Sequence, residues 1–195
     1  MNDKKRQKTE KGRAAKIAGR SAKELAVLAV FVALLLGGQA LFSAVPGVEI
    51  VTALVVCFSF AFGASRGMLA VTAFSLLRNF LFGLFPTALI LYLIYYNILA
   101  LTSGLLGRCK WKKTWQTLLV VLPSACLCTA FFTAIDNVIT PLFFRFNETA
   151  WKGYALSSVS VMIPQIICVL ITVGALFLPL VKVFSLARRT LDERR

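Results

Sequence analysis

Six apolar stretches, each long or nearly long enough to cross a bilayer, fill most of the chain, and Lys and Arg collect in alternate gaps between them. Lipid offers a peptide group no hydrogen-bond partner, so a segment that enters it must be helical and needs about 20 mainly apolar residues. Residues 25–45, 67–85 (interrupted by Arg78), 86–107, 118–135 and 154–181 come close to that length. The stretch 50–63 is shorter. Its reading as a span needs Val48, Glu49 and Ala64 to Arg66 at the interfaces, or a locally thinned membrane.

Basic residues resist translocation and gather on the cytoplasmic side. They crowd the chain ahead of residue 25, recur at Arg66 and from Arg108 to Lys113, and return from Lys182 onward, whereas the other gaps hold only Arg145 and Lys152. An even number of crossings follows, because without 50–63 the cluster at Arg108 and the C-terminal cluster would fall on opposite sides. The expected fold is an all-α, polytopic bundle of six transmembrane helices with both termini cytoplasmic. Residues 1–21 read as a basic, disordered cytoplasmic tail lying on anionic lipid, 22–187 as the membrane domain and 188–195 as a short charged tail.

A net charge of +14 in a soluble chain would suggest nucleic acid, but with 58% hydrophobic residues the positive-inside pattern already accounts for it, and no nucleic-acid partner is expected. The run after the basic tail exceeds a signal h-region and no A-x-A-like cleavage site follows, so the first helix is expected to stay attached. Histidine is absent, which removes Ser-His-Asp and Cys-His nucleophile systems and imidazole metal sites together. There is no G-x-x-x-x-G-K-[ST] phosphate loop and no acidic pair placed for acid-base work. Cys126 and Cys128, two apart and without His, make a poor metal site. No catalytic residue, metal or cofactor is expected, and uphill transport would need an ion gradient or a partner subunit.

Polar groups inside a membrane are costly and are the default functional candidates. In the topology above, Arg78 and Asn79 lie in the outer half of helix three, Glu49 begins helix two at the outer surface, and Asp136 with Asn137 ends helix five at that level. Helix four carries Tyr92, Tyr95, Tyr96 and Asn97, with Tyr92 and Tyr96 sharing a face. Helix six brings Ser157, Ser158 and Ser160 to its outer turns and Gln165 deeper. Aromatic walls with a few convergent polar groups are what a solute pocket requires. Each residue has a plainer reading. Arg78 snorkels or pairs with Asp136 or Glu49, the tyrosines form an interfacial belt, Asp136 and Asn137 terminate a helix, and the serines pack helices. Helix one sets Ala29, Ala33 and Gly37 four apart, a stripe that lets another helix approach closely, either within the bundle or from a partner.

Several segments then carry a resemblance: Ala29-x-x-x-Ala33, the Pro46-Gly47-Val48-Glu49 turn, Phe62-Gly63-Ala64-Ser65-Arg66-Gly67, Asn79-Phe80-Leu81-Phe82-Gly83, and Gly104-Leu105-Leu106-Gly107-Arg108. In order and spacing they resemble the substrate-binding S components of energy-coupling factor (ECF) transporters, bacterial vitamin and micronutrient importers. The resemblance is best over residues 22–108. It implies a compact six-helix bundle that captures a small solute from outside, then associates with a transmembrane coupling subunit and two cytoplasmic ATPases. By position it gives Ala29 and Ala33 the contact with the coupling subunit, and it places the pocket near Glu49, Arg78, Asn79, Asp136 and Asn137. Arg78 departs from the family, being a charge where many relatives are neutral. Glu49, Asp136 and Arg78 together would suit a zwitterion or a polar neutral heterocycle such as a vitamin. Two other classes compete: an ion-coupled secondary transporter, for which no inverted repeat is visible, and a non-enzymatic membrane scaffold, which leaves Arg78 unexplained.

Overall fold

The computed structural model describes residues 2–42, 50–109, 111 and 114–193. Six helices follow one another: α1 (Asn2–Phe42), α2 (Ile50–Phe62), α3 (Ala64–Phe82), α4 (Pro86–Leu106), α5 (Thr114–Phe143) and α6 (Glu148–Glu193). No strand occurs among the described residues. Four of the helices, α1, α4, α5 and α6, are long and apolar enough to cross a membrane. The turn 46–49 and most of the Arg108 to Lys113 basic cluster lie outside the described residues.

The short helix occupies the centre. Eleven of the thirteen residues of α2 are buried, and it packs against α1, α3, α4 and α6. Its length, about 20 Å at 1.5 Å per residue, therefore does not have to match the lipid, because protein surrounds it. The thinned membrane considered for a short span is not needed. A helix apolar on every side is one that belongs inside a bundle.

Packing around α2 differs along its length. Toward its C-terminus, Phe31 of α1 stacks on Phe58 at 3.8 Å, Phe58 on Phe62 at 4.5 Å, and Phe184 of α6 meets Phe58 edge-on at 5.6 Å. Toward its N-terminus, the Thr52 hydroxyl lies 3.1 Å from that of Tyr95, which lies 3.3 Å from that of Thr129, so a buried hydroxyl chain ties α2 to α4 and α5.

Two of the sequence segments meet. Gly104 packs so closely on Ala64 that a methyl group there would enter the Ala64 backbone, and Gly107 does the same against the carbonyl of Phe60. Gly63 between α2 and α3 has φ 92°, a left-handed conformation that glycine adopts without steric cost. The same end of the bundle holds an ion pair between Arg66 and Glu24 at 2.9 Å and a hydrogen bond from Arg188 to the Ala61 carbonyl at 2.7 Å. Arginines from α3 and α6 therefore gather with the end of α4 at one end of the molecule.

Helix α1 runs from Asn2 without a break into the first apolar run, and α6 runs on through the C-terminal charged residues as far as Glu193. One sequence expectation changes. Helix five does not end at Asp136 and Asn137 but continues to Phe143, so the helix-terminating explanation of these two residues falls away. The helices overshoot their apolar runs because backbone hydrogen bonding, once propagating, continues into polar residues that only lipid would exclude.

Candidate functional site

At the end opposite Arg66 and Arg188, an open cavity of about 320 Å³ lies between α5 and α6, lined by Phe132, Thr133, Asp136, Tyr154, Ser157, Ser158, Val161 and Gln165. Asp136 projects from within α5, seven residues before its last residue Phe143. Its Oδ1 accepts a hydrogen bond from Thr140 at 2.6 Å and its Oδ2 one from Tyr154 at 2.7 Å. Thr140 reaches it because residues four apart share a helix face, and Tyr154 crosses from the first turns of α6. Both oxygens act as acceptors, the role of an ionised carboxylate.

Asn137 lies on the adjoining face. Its Nδ2 donates to Ser158 Oγ at 2.7 Å, and Ser158 in turn donates to the Ala155 carbonyl at 2.8 Å. That second bond leaves the serine oxygen to accept, which fixes the orientation of the amide. Asn137 Oδ1 then faces away, buried and without a hydrogen-bond donor.

The aromatic residues of α4 adjoin the cavity without lining it. Tyr92 and Tyr96 stack at 5.4 Å, and Tyr92 and Tyr95 approach Phe132, a cavity wall, at 6.0 and 4.9 Å. Arg78 lies beyond them, with its guanidinium 3.9 Å from the Tyr92 ring centre and 5.8 Å from that of Phe82. Its Nε is buried without a hydrogen-bond partner. Among the described residues it forms no ion pair with Asp136; the ion pair seen joins Arg66 and Glu24. Glu49, the other partner considered for it, lies outside the described residues.

Of the residues singled out from sequence, Asp136, Ser157, Ser158 and Gln165 line the cavity, Asn137 binds its wall, and Tyr92 and Tyr96 back it. Two serve the fold where they stand. Asn79 is buried and accepts the Phe85 N–H at 3.2 Å, at the start of α4. Asn97 exchanges hydrogen bonds with Thr72 on α3 at 3.2 Å and donates to the Leu93 carbonyl at 2.8 Å. Ser160 is exposed on the far face of α6. Sequence reasoning passed over Phe132, Thr133 and Tyr154 as site residues. The four-residue spacing of Asp136 and Thr140 was the available signal, since it marks a carboxylate already supplied with a donor.

On the opposite flank, Ala29, Ala33 and Gly37 are all exposed along α1, and no atom lies within 4 Å of where a Gly37 side chain would begin. The small-residue stripe is therefore not used for packing within the described bundle, whose apolar contacts with α1 centre on Phe31, Val32 and Leu35, with Val27, Leu28 and Leu36 beside them. Comparison with known protein families, curated proteins and solved structures finds no match to this chain.

Proposed function

We propose that this chain is the solute-binding subunit of an ECF-type importer in a bacterial cell membrane, with six membrane-crossing helices and both termini on the cytoplasmic face. The observation that carries this reading is the position of the cavity: a polar, aromatic-walled space at the end of the bundle away from Arg66 and Arg188. Under the positive-inside rule the end that carries these two and the C-terminal basic residues is cytoplasmic, so the cavity faces outward, where a vitamin-like solute is met. The exposed Ala29, Ala33 and Gly37 stripe supports the second half of the reading, because a subunit without an energy source must dock on one that has it. A transmembrane coupling subunit with two cytoplasmic ATPases is the partner that the resemblance implies.

The test is copurification from native membranes. The coupling subunit and ATPases are expected to accompany the wild-type chain, and Ala29→Trp or Ala33→Trp to abolish that association while bound solute, identified by mass spectrometry of the denatured protein, is retained. Solute transport by the chain alone in liposomes under a proton or sodium gradient would replace this reading with that of a secondary carrier, in which Asp136 would be the coupling carboxylate. A chain that binds no small solute would be a scaffold.

A further inference from the structure

The cavity is short of donors and positive charge. Among the described residues Asp136 is the only charged one in its lining, and no basic side chain pairs with it. Each hydroxyl of the lining already donates to protein: Tyr154 to Asp136 Oδ2 at 2.7 Å, Ser157 to the Tyr154 carbonyl at 2.8 Å, Ser158 to the Ala155 carbonyl at 2.8 Å and, more loosely, Thr133 to the Thr129 carbonyl at 3.5 Å. What they turn toward a ligand is oxygen lone pairs. Asp136 accepts one hydrogen bond on each oxygen and retains capacity for more. Gln165 carries the one side-chain amide of the lining.

Arg78 does not change this balance. Its guanidinium is stacked on Tyr92, on the other side of the aromatic wall from the cavity. The zwitterion suggested by Glu49, Asp136 and Arg78 together loses its anionic anchor, because the cavity contains only the carboxylate.

We infer that the α5/α6 cavity binds a compact organic cation, a protonated amine or amidinium carried on an aromatic or apolar body, with the charge on Asp136 and the body against Phe132 and Tyr154. This rests on the solute-binding reading above and names its ligand class. Three independent features converge on it. The lining supplies a charge without a counter-charge, in surroundings where an unpaired charge is costly. It supplies acceptors in excess of donors. Its two aromatic rings offer π faces, which attract cations and repel anions. The volume lies at the small end of the usual range of roughly 300–1,000 Å³.

The test is calorimetric titration of the purified full chain in detergent with benzylamine, benzamidine, benzyl alcohol and benzoate. These probes share a ring and differ in charge and donors. The two cations are expected to bind at least about tenfold more tightly than the alcohol, the low end of what a charge-assisted hydrogen bond provides, and benzoate more weakly still. Asp136→Asn should bring benzylamine level with benzyl alcohol, and Asp136→Glu should retain the preference. If Asp136→Asn fails to fold, the ratios among the four probes in the parent chain decide alone. Equal or tighter binding of the alcohol or benzoate overturns the inference, as does a lack of saturable cation binding below about 10 mM, weaker than any useful capture site. The two proposals fail separately. Charge-indifferent binding by a chain that still copurifies with ATPases removes the cation and leaves the importer, whereas cation binding by a chain with no such partners does the reverse.

Discussion

The two ends of the bundle treat charge and space in opposite ways. At the arginine end Arg66 has Glu24, Arg188 has the Ala61 carbonyl, and Gly104 and Gly107 let helices close on Ala64 and Phe60 without a gap, while Ser59 Oγ is buried there without a hydrogen-bond partner. At the cavity end Asp136 has hydroxyl donors but, among the described residues, no counter-charge, Arg78 Nε and Asn137 Oδ1 have no hydrogen-bond partner, and an open cavity lies between α5 and α6. Close packing thus marks one end, and open space beside a carboxylate without a counter-charge marks the other. Holding such a charge among helices costs stability, so its place in a cavity wall points to a gain made elsewhere, when a ligand arrives.

The comparison breaks most readily at the glycines. Gly104→Leu should cost about 3 kcal/mol, the upper end for overpacking a filled interior, because the new side chain meets the Ala64 backbone, which cannot rotate away. Thermal unfolding followed by size-exclusion chromatography would register it as loss of the monodisperse protein. Gly37→Leu is the matched control: nothing lies within 4 Å of that position, so the isolated chain should keep its stability while losing any partner that docks there. Equal tolerance at the two sites would mean that the tight end is not tight.

Next in size are the two charges at the cavity end. Asp136→Asn should weaken binding of the natural solute by about 2 kcal/mol, the range for a hydrogen bond to a charged group. Arg78→Ala should cost about 1 kcal/mol, the worth of a cation–π contact that steadies Tyr92, since Arg78 reaches the cavity only through that ring and Phe132. Isothermal titration with the copurified solute separates them. A larger loss from Arg78→Ala than from Asp136→Asn would place the guanidinium in the site and make it, rather than the carboxylate, the principal anchor.

Sequence made the helices legible far better than their surroundings. An apolar run looks the same whether lipid or protein covers it, so 50–63 showed that α2 is helical and apolar but not that it is the axis of the bundle. The helix ends were missed where polar residues continue the helix, as at Thr140 and Glu148. The candidate site was legible as a level in the membrane, because costly residues on several helices gathered there. It was not legible as a set of contacts. Asn97 has the makings of a pocket residue, yet Thr72 on α3 takes its amide, and Tyr154 reads as a helix start, yet its hydroxyl sits on Asp136. Partners of this kind lie on other helices, 25 residues away for Asn97 and 18 for Tyr154, and no periodicity within one helix reveals them.

The smallest expected effect gives the comparison its sharpest edge. Glu24 and Arg66 form the well-made ion pair of the arginine end, at 2.9 Å, yet both side chains remain 33% exposed. Such a pair gains little over its hydration, so Glu24→Gln should lower stability by no more than about 0.5 kcal/mol. Raising the salt from about 0.1 to about 1 M should erase even that difference, as the screening length falls from about 10 to about 3 Å. The effect of Asp136→Asn on solute binding should fall less at the same salt, because a solute seated against the half-buried carboxylate closes it off from the ions. Thermal melts and titrations of the two variants at both salt concentrations decide the matter. A Glu24→Gln loss above about 2 kcal/mol, the scale of a buried charged hydrogen bond, would show that charge holds the arginine end together as well, and the division of labour between close packing and unpaired polarity would have to be abandoned.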